Sequence, residues 1–328
     1  MKMKYFGIDI GNHSTKSKNT VITSGFEGPY NAKPTIADKY LLFQDKYYIP
    51  STTILAYQKD KTTNERAIVL ALMSIAEEII YTCSKVKKNS PPLSKSEVQA
   101  KIDKYNKIAL GIGLPPTHYT ESQVKKNIDY FNLYMGNGIS FVYADYKFNL
   151  KLEVCRVYPQ AGAGAINATR IASFPSYFVI DIGGYTVDTI FFEDGKPSGH
   201  WSSKEKGVLT LYKSIIDTCT MEFEITLDSR IIETVLKGGQ TILEDDVKET
   251  IFQRTKQHAE DIINTLKESG IEFKAYPCFF MGGGSLLLKK YIETNPIISK
   301  NGLFFIEDTK ANAAGYTIFI KDEIQATL

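Results

Sequence analysis

The chain has 328 residues, 43% of them apolar, and its 39 basic and 37 acidic residues leave a formal charge of +2. That length suits two domains with substantial cores, and the near-zero balance, spread along the chain, excludes the basic footprint of a protein that grips nucleic acid tightly by itself. Cys83, Cys155, Cys219 and Cys278 lie more than fifty residues apart with no C-x-x-C pair, which argues against a zinc site, an iron–sulfur cluster and a disulfide framework.

The start, MKMKYFGID, reaches polar residues too soon for a signal peptide. No apolar run approaches the ~20 residues of a membrane span, so a soluble, reduced, cytoplasmic protein without membrane contact is expected. Tyr5 to Ile10 reads as a strand with one acid, Asp9, inside it. Gly11 and the polar string Asn12, His13, Ser14, Thr15 and Lys16 then make a sharp turn into a second strand. Stripping water from a carboxylate is expensive, so Asp9 is expected to hold something. Residues 40–57 alternate and read as short strands.

From Asn64 to about Lys87, the residues Ile68, Leu72, Ile75, Ile79 and Cys83 recur at helical spacing, with Asn64 as N-cap. Prolines within 89–97 break that pattern, and a polar helix begins near Ser94. Residues 107–116 form a buried strand stopped by prolines. Thr120 ahead of Gln123 is a capping-box pattern that opens a helix, and 139–160 alternates as a strand pair or meander.

After residue 175 the opening motif returns. FVIDIGGYTVDTIFF matches FGIDIGNHSTKSKNT, so Asp181 aligns with Asp9, Gly183 with Gly11 and Thr186 with Ser14, at an offset of 172 residues. An offset of half the chain implies two related α/β domains, each opening with a hairpin, rather than a solenoid. A helix begins near Asp246, with Val247, Ile251, Ile262 and Leu266 on one side. PCFFMGGGSLLLKKYI reads as a buried strand, a triple glycine and a helix, and residues 309–323 as a last helix of small residues.

The two turns carry the chemistry. Glycine allows close backbone approach to a ligand, and Ser, Thr and backbone N–H groups donate to phosphate oxygens. Asp9 and Asp181 suit the outer shell of a hydrated Mg²⁺, and Lys16 adds a point charge for a phosphate. Gly282, Gly283 and Gly284 allow a flat ligand group close to the backbone at a helix start. No glycine stretch has the P-loop spacing, and none gives a proper dinucleotide fingerprint.

The order of hairpin one (Asp9–Lys16), YPQAGAGAINA, hairpin two (Asp181–Asp188), MGGGS and the small-residue tail ANAAGY resembles the actin, heat-shock chaperone and sugar kinase superfamily across essentially the whole chain. GIDIGNHSTKS, PQAGAGA and VIDIGGYTVD most resemble the plasmid-segregation actins of the ParM/StbA type and their archaeal relatives. The resemblance implies an α/β, actin-like (ribonuclease H-like) duplicated fold with an interdomain nucleotide cleft. It places domain I at 1–171 plus 311–328 and domain II at 172–310, hinged where the chain crosses. It also implies a filament-forming NTPase using ATP or GTP with Mg²⁺, self-assembly, and an adaptor that binds a centromere-like DNA site, without tight DNA binding by the chain itself.

Residue by residue, the resemblance puts Asp9 and Asp181 on the Mg²⁺ side. Gly11, Asn12, Ser14, Thr15 and Lys16 match the first phosphate loop, and Gly183, Gly184, Tyr185 and Thr186 the second. Gly282, Gly283, Gly284 and Ser285 match the base and ribose platform, and Gln160 the water-orienting position. An amide orients water but is a poor base, and phosphoryl transfer asks mainly for positioning. His13 departs from the family's small residue, and Asp188 stays without a role. The alternative is a small-molecule (sugar-type) kinase or a non-polymerising ATPase of the same superfamily. A kinase would want a carboxylate base where this chain has Gln160. A chaperone would want a further domain beyond Leu328, and an iron–sulfur activator clustered cysteines.

Overall fold

The computed structural model describes residues 3–35, 37–88, 90–166 and 173–327. The chain divides into two compact units, Met1–Asn167 with Lys310–Leu328, and Ala168–Thr309. The boundary expected between 171 and 172, and the end of YPQAGAGAINA at Asn167 and Ala168, lie outside the described residues.

In the first unit the strands are β1 (Lys4–Ile10), β2 (Ser14–Lys16), β3 (Val21–Thr23), β4 (Phe26–Tyr30), β5 (Leu41–Phe43), β6 (Lys46–Pro50), β7 (Lys107–Leu114), β8 (Ile139–Tyr143) and β9 (Tyr146–Pro159). They form one sheet in the order β3-β2-β1-β7-β9-β8-β5-β6-β4. The helices are α1 (Arg66–Ser84), α2 (Lys95–Ile102), α3 (Glu121–Met135), α4 (Gly162–Ala165) and, from the chain's return, α10 (Ala311–Ala326). Residues 51–57, expected as strand, are irregular.

Helix starts follow local chemistry. Ser94 and Glu97 cap α2 reciprocally. Thr120 accepts from the Gln123 N–H, so only half of the expected box is present at α3. Asn64 lies one residue before the cap position of α1, Glu65, and its Oδ1 accepts from the Arg66 N–H at 2.9 Å. At 19 residues α1 is long and apolar enough to cross a membrane, which corrects the expectation from the apolar runs; 72% of its most apolar window is buried inside the fold, as in a core helix.

Pleating sorts β1 into two faces. Phe6, Ile8 and Ile10 join α1 in the main core. The opposite face meets α10, and glycine makes that approach possible. A Cβ at Gly7 would fall 2.0 Å from the Ala313 carbonyl oxygen, and one at Gly315 would fall 1.9 Å from that of Ala163 on α4. The Gly7 N–H instead donates to Thr317 Oγ1 at 2.9 Å.

The second unit has β10 (Ser176–Ile182), β11 (Val187–Glu193), β12 (Lys196–Lys204), β13 (Cys278–Met281) and β14 (Leu303–Phe305), ordered β12-β11-β10-β13-β14. Its helices are α5 (Val208–Phe223), α6 (Ser229–Leu236), α7 (Asp245–Glu268), α8 (Gly282–Leu287) and α9 (Lys289–Glu293). Phe178, Ile180 and Ile182 of β10 pack with Ile215 of α5 and Ile262 of α7 in this unit's core. All four cysteines are buried and free, and burial pushes the Cys155 and Cys278 thiols up to about 12.

The α10 contact gives a direct test. Gly315→Ala should destabilise the protein by about 1–3 kcal/mol, as overpacking does, seen as a lower urea midpoint at unchanged slope. Wild-type stability in that variant would contradict the close approach of α10 and α4.

Candidate functional site

Each unit places a carboxylate where an apolar strand ends in a turn, and the two hairpins share a register. Asp9 pairs across the ladder with Lys16, and Asp181 with Asp188. Asp9 is 6% exposed, Asp181 8% and Asp188 3%.

In the first unit the turn is braced from behind. Thr15 belongs to the Ile10 face of the hairpin. It is fully buried and shares a hydrogen bond with Ser24 Oγ at 2.9 Å, and Ser24 donates to the Gly11 carbonyl at 2.5 Å. Thr15 therefore supports the loop from inside rather than offering its hydroxyl to a phosphate, a correction forced by strand alternation. Ser14 and Lys16 lie on the Asp9 face. A Cβ at Gly11 would come within 2.6 Å of the Ser14 carbonyl oxygen, so the turn requires glycine there. His13 takes part through its backbone, its carbonyl accepting from the Ser24 N–H at 3.1 Å. Asn12 sits with Gly11 at the rim of a small pocket beside Lys61 and Arg66.

Gln160 comes to Asp9 from the end of β9. Its Nε2 donates to Asp9 Oδ1 at 3.1 Å, so residues 151 positions apart meet. Next to it Ala161 holds φ at 68° and ψ at −53°, and the Gly162 N–H closes back on the Gln160 carbonyl at 2.9 Å. That is a γ-turn with positive φ, a strained conformation costing about 1–3 kcal/mol. It is held by Asn312 of α10, whose Oδ1 accepts the Ala161 N–H at 3.1 Å.

In the second unit the turn Gly183–Thr186 closes through the Gly183 N–H to the Thr186 carbonyl at 2.8 Å. The start of α5 is laid against it. Gly207, Val208 and Leu209 donate to the carbonyls of Tyr185, Gly183 and Gly184 at 2.8, 3.1 and 2.8 Å. A Cβ on Gly207 would clash with Gly184 at 2.6 Å. The Tyr185 hydroxyl reaches Glu205 at 3.4 Å. Asp188 accepts from Thr186 Oγ1 at 3.1 Å and from Ser203 Oγ. Two carboxylates directly opposite on a ladder repel, and a cation beside them removes that repulsion.

The triple glycine divides its work, and it starts α8 rather than preceding it. At Gly282 (φ +87°) a Cβ would fall 2.2 Å from Asp181 Oδ1, so this glycine makes room for the carboxylate. At Gly284 it would meet Ile182 Cγ2 at 2.5 Å, which is strand–helix packing. Only Gly283 faces open space. Ser285 is fully buried and donates to the Met281 carbonyl at 2.5 Å. Of the motif only Gly283 is left open, with Gly282, Gly284 and Ser285 engaged in packing.

His258 escaped sequence reasoning. His258 of α7 hydrogen-bonds the Lys206 carbonyl at 3.1 Å, next to the Gly207–Tyr185 contact. Burial holds its imidazole below the ordinary 6.5, against the hydrogen bond to the Lys206 backbone, which favours the protonated ring.

The donors present fit a hydrated divalent ion and a phosphate group. A buried carboxylate stands at the turn of each unit, Gly283 faces open space, and no cluster of three metal-ligating side chains occurs among the described residues. An ion held through water asks for one or two carboxylates, not a cage.

Residues 179–294, which span hairpin two, α5–α8 and α9, match the family "Archaeal actin homologue MreB-like, C-terminal". A comparison with curated sequences returned no match. Among solved structures, the archaeal actin homologue Ta0583 in complex with ADP superimposes with a TM-score of 0.72 at 17% identity, covering 98% of this chain and 100% of that one. A ParM from Clostridium botulinum, solved as a 15-stranded filament, gives 0.71 at 19% identity, with 98% and 100% covered. Bacillus thuringiensis ParM with ATP gives 0.62 at 13%, with 99% and 100% covered. The chain has the actin-like α/β fold in duplicate, and within that fold it is similar to ParM-type and archaeal actin homologues.

Two outcomes follow. Gly283→Ala should keep or slightly raise stability, since alanine is up to ~1 kcal/mol better in a helix, whereas Gly284→Ala should lower it by about 1–3 kcal/mol; equal melting temperatures would contradict the division of labour. His258 has a folded pKa below its unfolded value, so the unfolded chain binds more protons. Stability should therefore fall as pH drops from about 7 to about 5, and His258→Gln should remove that component of a pH series of urea melts.

Proposed function

We propose that the chain is a filament-forming, actin-type NTPase that binds ATP or GTP with Mg²⁺ and couples hydrolysis to polymer turnover. The observation that carries this reading is the matched pair of hairpins with buried Asp9 and Asp181, one of them bonded by Gln160. Asp9 and Asp181 hold the water shell of Mg²⁺, which when bound supplies positive charge to the phosphates. Backbone N–H groups of the Gly11–Lys16 turn and of Gly184 and Tyr185 receive phosphate oxygens, the Gly183 N–H being held by the Thr186 carbonyl, and Gly283 lies against the sugar and base. The Gln160 amide, fixed by its bond to Asp9 and by the turn at Ala161, orients a water for attack.

Assembly into filaments, a role in plasmid DNA segregation through a DNA-binding adaptor, and a cytoplasmic location extend the same reading. Its supports are the fold likeness, the filament in which the C. botulinum ParM was solved, and the near-neutral charge. An amide at position 160 rather than a carboxylate disfavours the sugar-type kinase.

Right-angle light scattering with phosphate release, after addition of Mg²⁺ with ATP or GTP, tests the proposal. Scattering should rise and then decay as phosphate appears. Gln160→Ala should slow phosphate release on the order of 10²-fold and prolong the scattering plateau, and Asp181→Ala should abolish release while circular dichroism stays native. Phosphate release without scattering at tens of micromolar protein would overturn the filament reading. A wild-type rate in Gln160→Ala would overturn the role of that amide.

A further inference from the structure

The first hairpin continues into strands too short to hold themselves. β2 and β3 have three residues each and lie at one edge of their sheet, with Val21 exposed. A ribbon of two such strands is marginal by itself. Lys16 is the last residue of β2, paired with Asp9 on β1 and with Val21 on β3. Near Gly11 the ribbon is held by Thr15 and Ser24. Its other end is the turn at 17–20, which follows Lys16 directly. There the Ser17 N–H donates to the Thr20 carbonyl at 2.9 Å, and the Thr20 N–H to Ser17 Oγ at 3.1 Å.

Glu78 of α1 grips this turn. Its carboxylate is buried, and so is Ser17. Oε2 accepts from Ser17 Oγ at 2.5 Å and from the Asn19 N–H at 2.9 Å, and Oε1 accepts from Asn19 Nδ2. The single hydroxyl proton of Ser17 goes to Glu78, so the Thr20 hydroxyl donates to Ser17 Oγ at 2.6 Å. A carboxylate is tolerated out of water only where it is bonded, and hydrogen bonds to one are about twice as strong as those between neutral groups. Ile75 and Ile79 of α1 are fully buried in the main core. Glu78 therefore ties the edge ribbon to the least movable part of its unit.

We propose that Glu78 is a positioning residue for the first phosphate loop: on the nucleotide reading above, its grip on the turn at 17–20 fixes where Lys16 presents its ammonium to the terminal phosphates. A long lysine side chain loses rotamer entropy when it is ordered, and an anchored backbone at its root confines that loss to the side chain. Glu78→Gln keeps the shape but leaves one acceptor oxygen and turns an amide donor towards the donors of Ser17 or Asn19. Asn19→Ala weakens the same grip from the side of the turn and leaves Glu78 bonded to Ser17 and to the backbone.

The experiment is equilibrium binding of mant-labelled ATP and GTP and of the mant-labelled nucleosides to wild type, Glu78→Gln, Asn19→Ala and Lys16→Gln, and to each of the first two combined with Lys16→Gln, all checked for native circular dichroism. Glu78→Gln should bind the preferred triphosphate about tenfold more weakly, as for the loss of one charge-assisted contact, at wild-type nucleoside affinity. Asn19→Ala should show a smaller loss of the same kind, and it carries the test where Glu78→Gln does not fold. Because Glu78 acts through Lys16, adding either substitution to Lys16→Gln should change triphosphate affinity by less than about twofold. Equal losses for triphosphate and nucleoside, or losses that add in the double variants, would show that Glu78 merely holds the fold and would overturn the proposal. Unchanged triphosphate affinity in Glu78→Gln would overturn it while leaving the nucleotide reading intact. A wild-type chain that binds none of the probes would overturn both.

Discussion

A carboxylate buried at the end of an apolar strand costs several kcal/mol unless it is bonded or balanced, and both units of this chain are organised around one. The strand brings it there, the turn exposes backbone N–H groups next to it, and neighbouring elements are shaped to leave it room. Gly282 lacks a Cβ where Asp181 Oδ1 lies, and Gln160 reaches Asp9 across the sheet. The expense is understandable if the carboxylates hold a hydrated cation, because a cation removes the penalty that the fold otherwise bears.

The first unit shows how the rest of the structure serves that placement. Pleating gives β1 an apolar face for α1 and a second face for α10, and Asp9 belongs to the latter. The return of the chain as α10 then supplies Asn312, which fixes the strained turn at Ala161 beside Gln160. In the second unit the start of α5 gives its first N–H groups to the hairpin carbonyls, so helix and turn form one rigid piece.

Much of this was legible in the sequence. The repeat aligned Asp9 with Asp181, and the ladders confirm the shared register by pairing them with Lys16 and Asp188. Periodicity found α1 and α7, the Thr120–Gln123 pattern announced α3, and Ser94 announced α2. What it missed depends on tertiary approach. Strand alternation alone could have turned Thr15 inward, but the division of labour among Gly282, Gly283 and Gly284 depends on which neighbour each one faces. Ser285 looked like part of a ligand platform, and it is a buried hydroxyl satisfied by its own helix. His258 lies on a helix far along the chain from the hairpin it supports. Asp188 gained meaning only once the register set it opposite Asp181.

In the proposed function the buried carboxylates serve a nucleotide through a hydrated divalent ion. Calorimetric titration of wild type with ADP and with GDP, in Mg²⁺ and in EDTA, tests it most directly. The preferred nucleotide should lose at least about tenfold in affinity in EDTA, and Asp181→Asn should show the weaker value in both buffers. Tight binding that is identical with and without Mg²⁺ would rule out the hydrated ion and leave the two buried aspartates without the partner proposed for them.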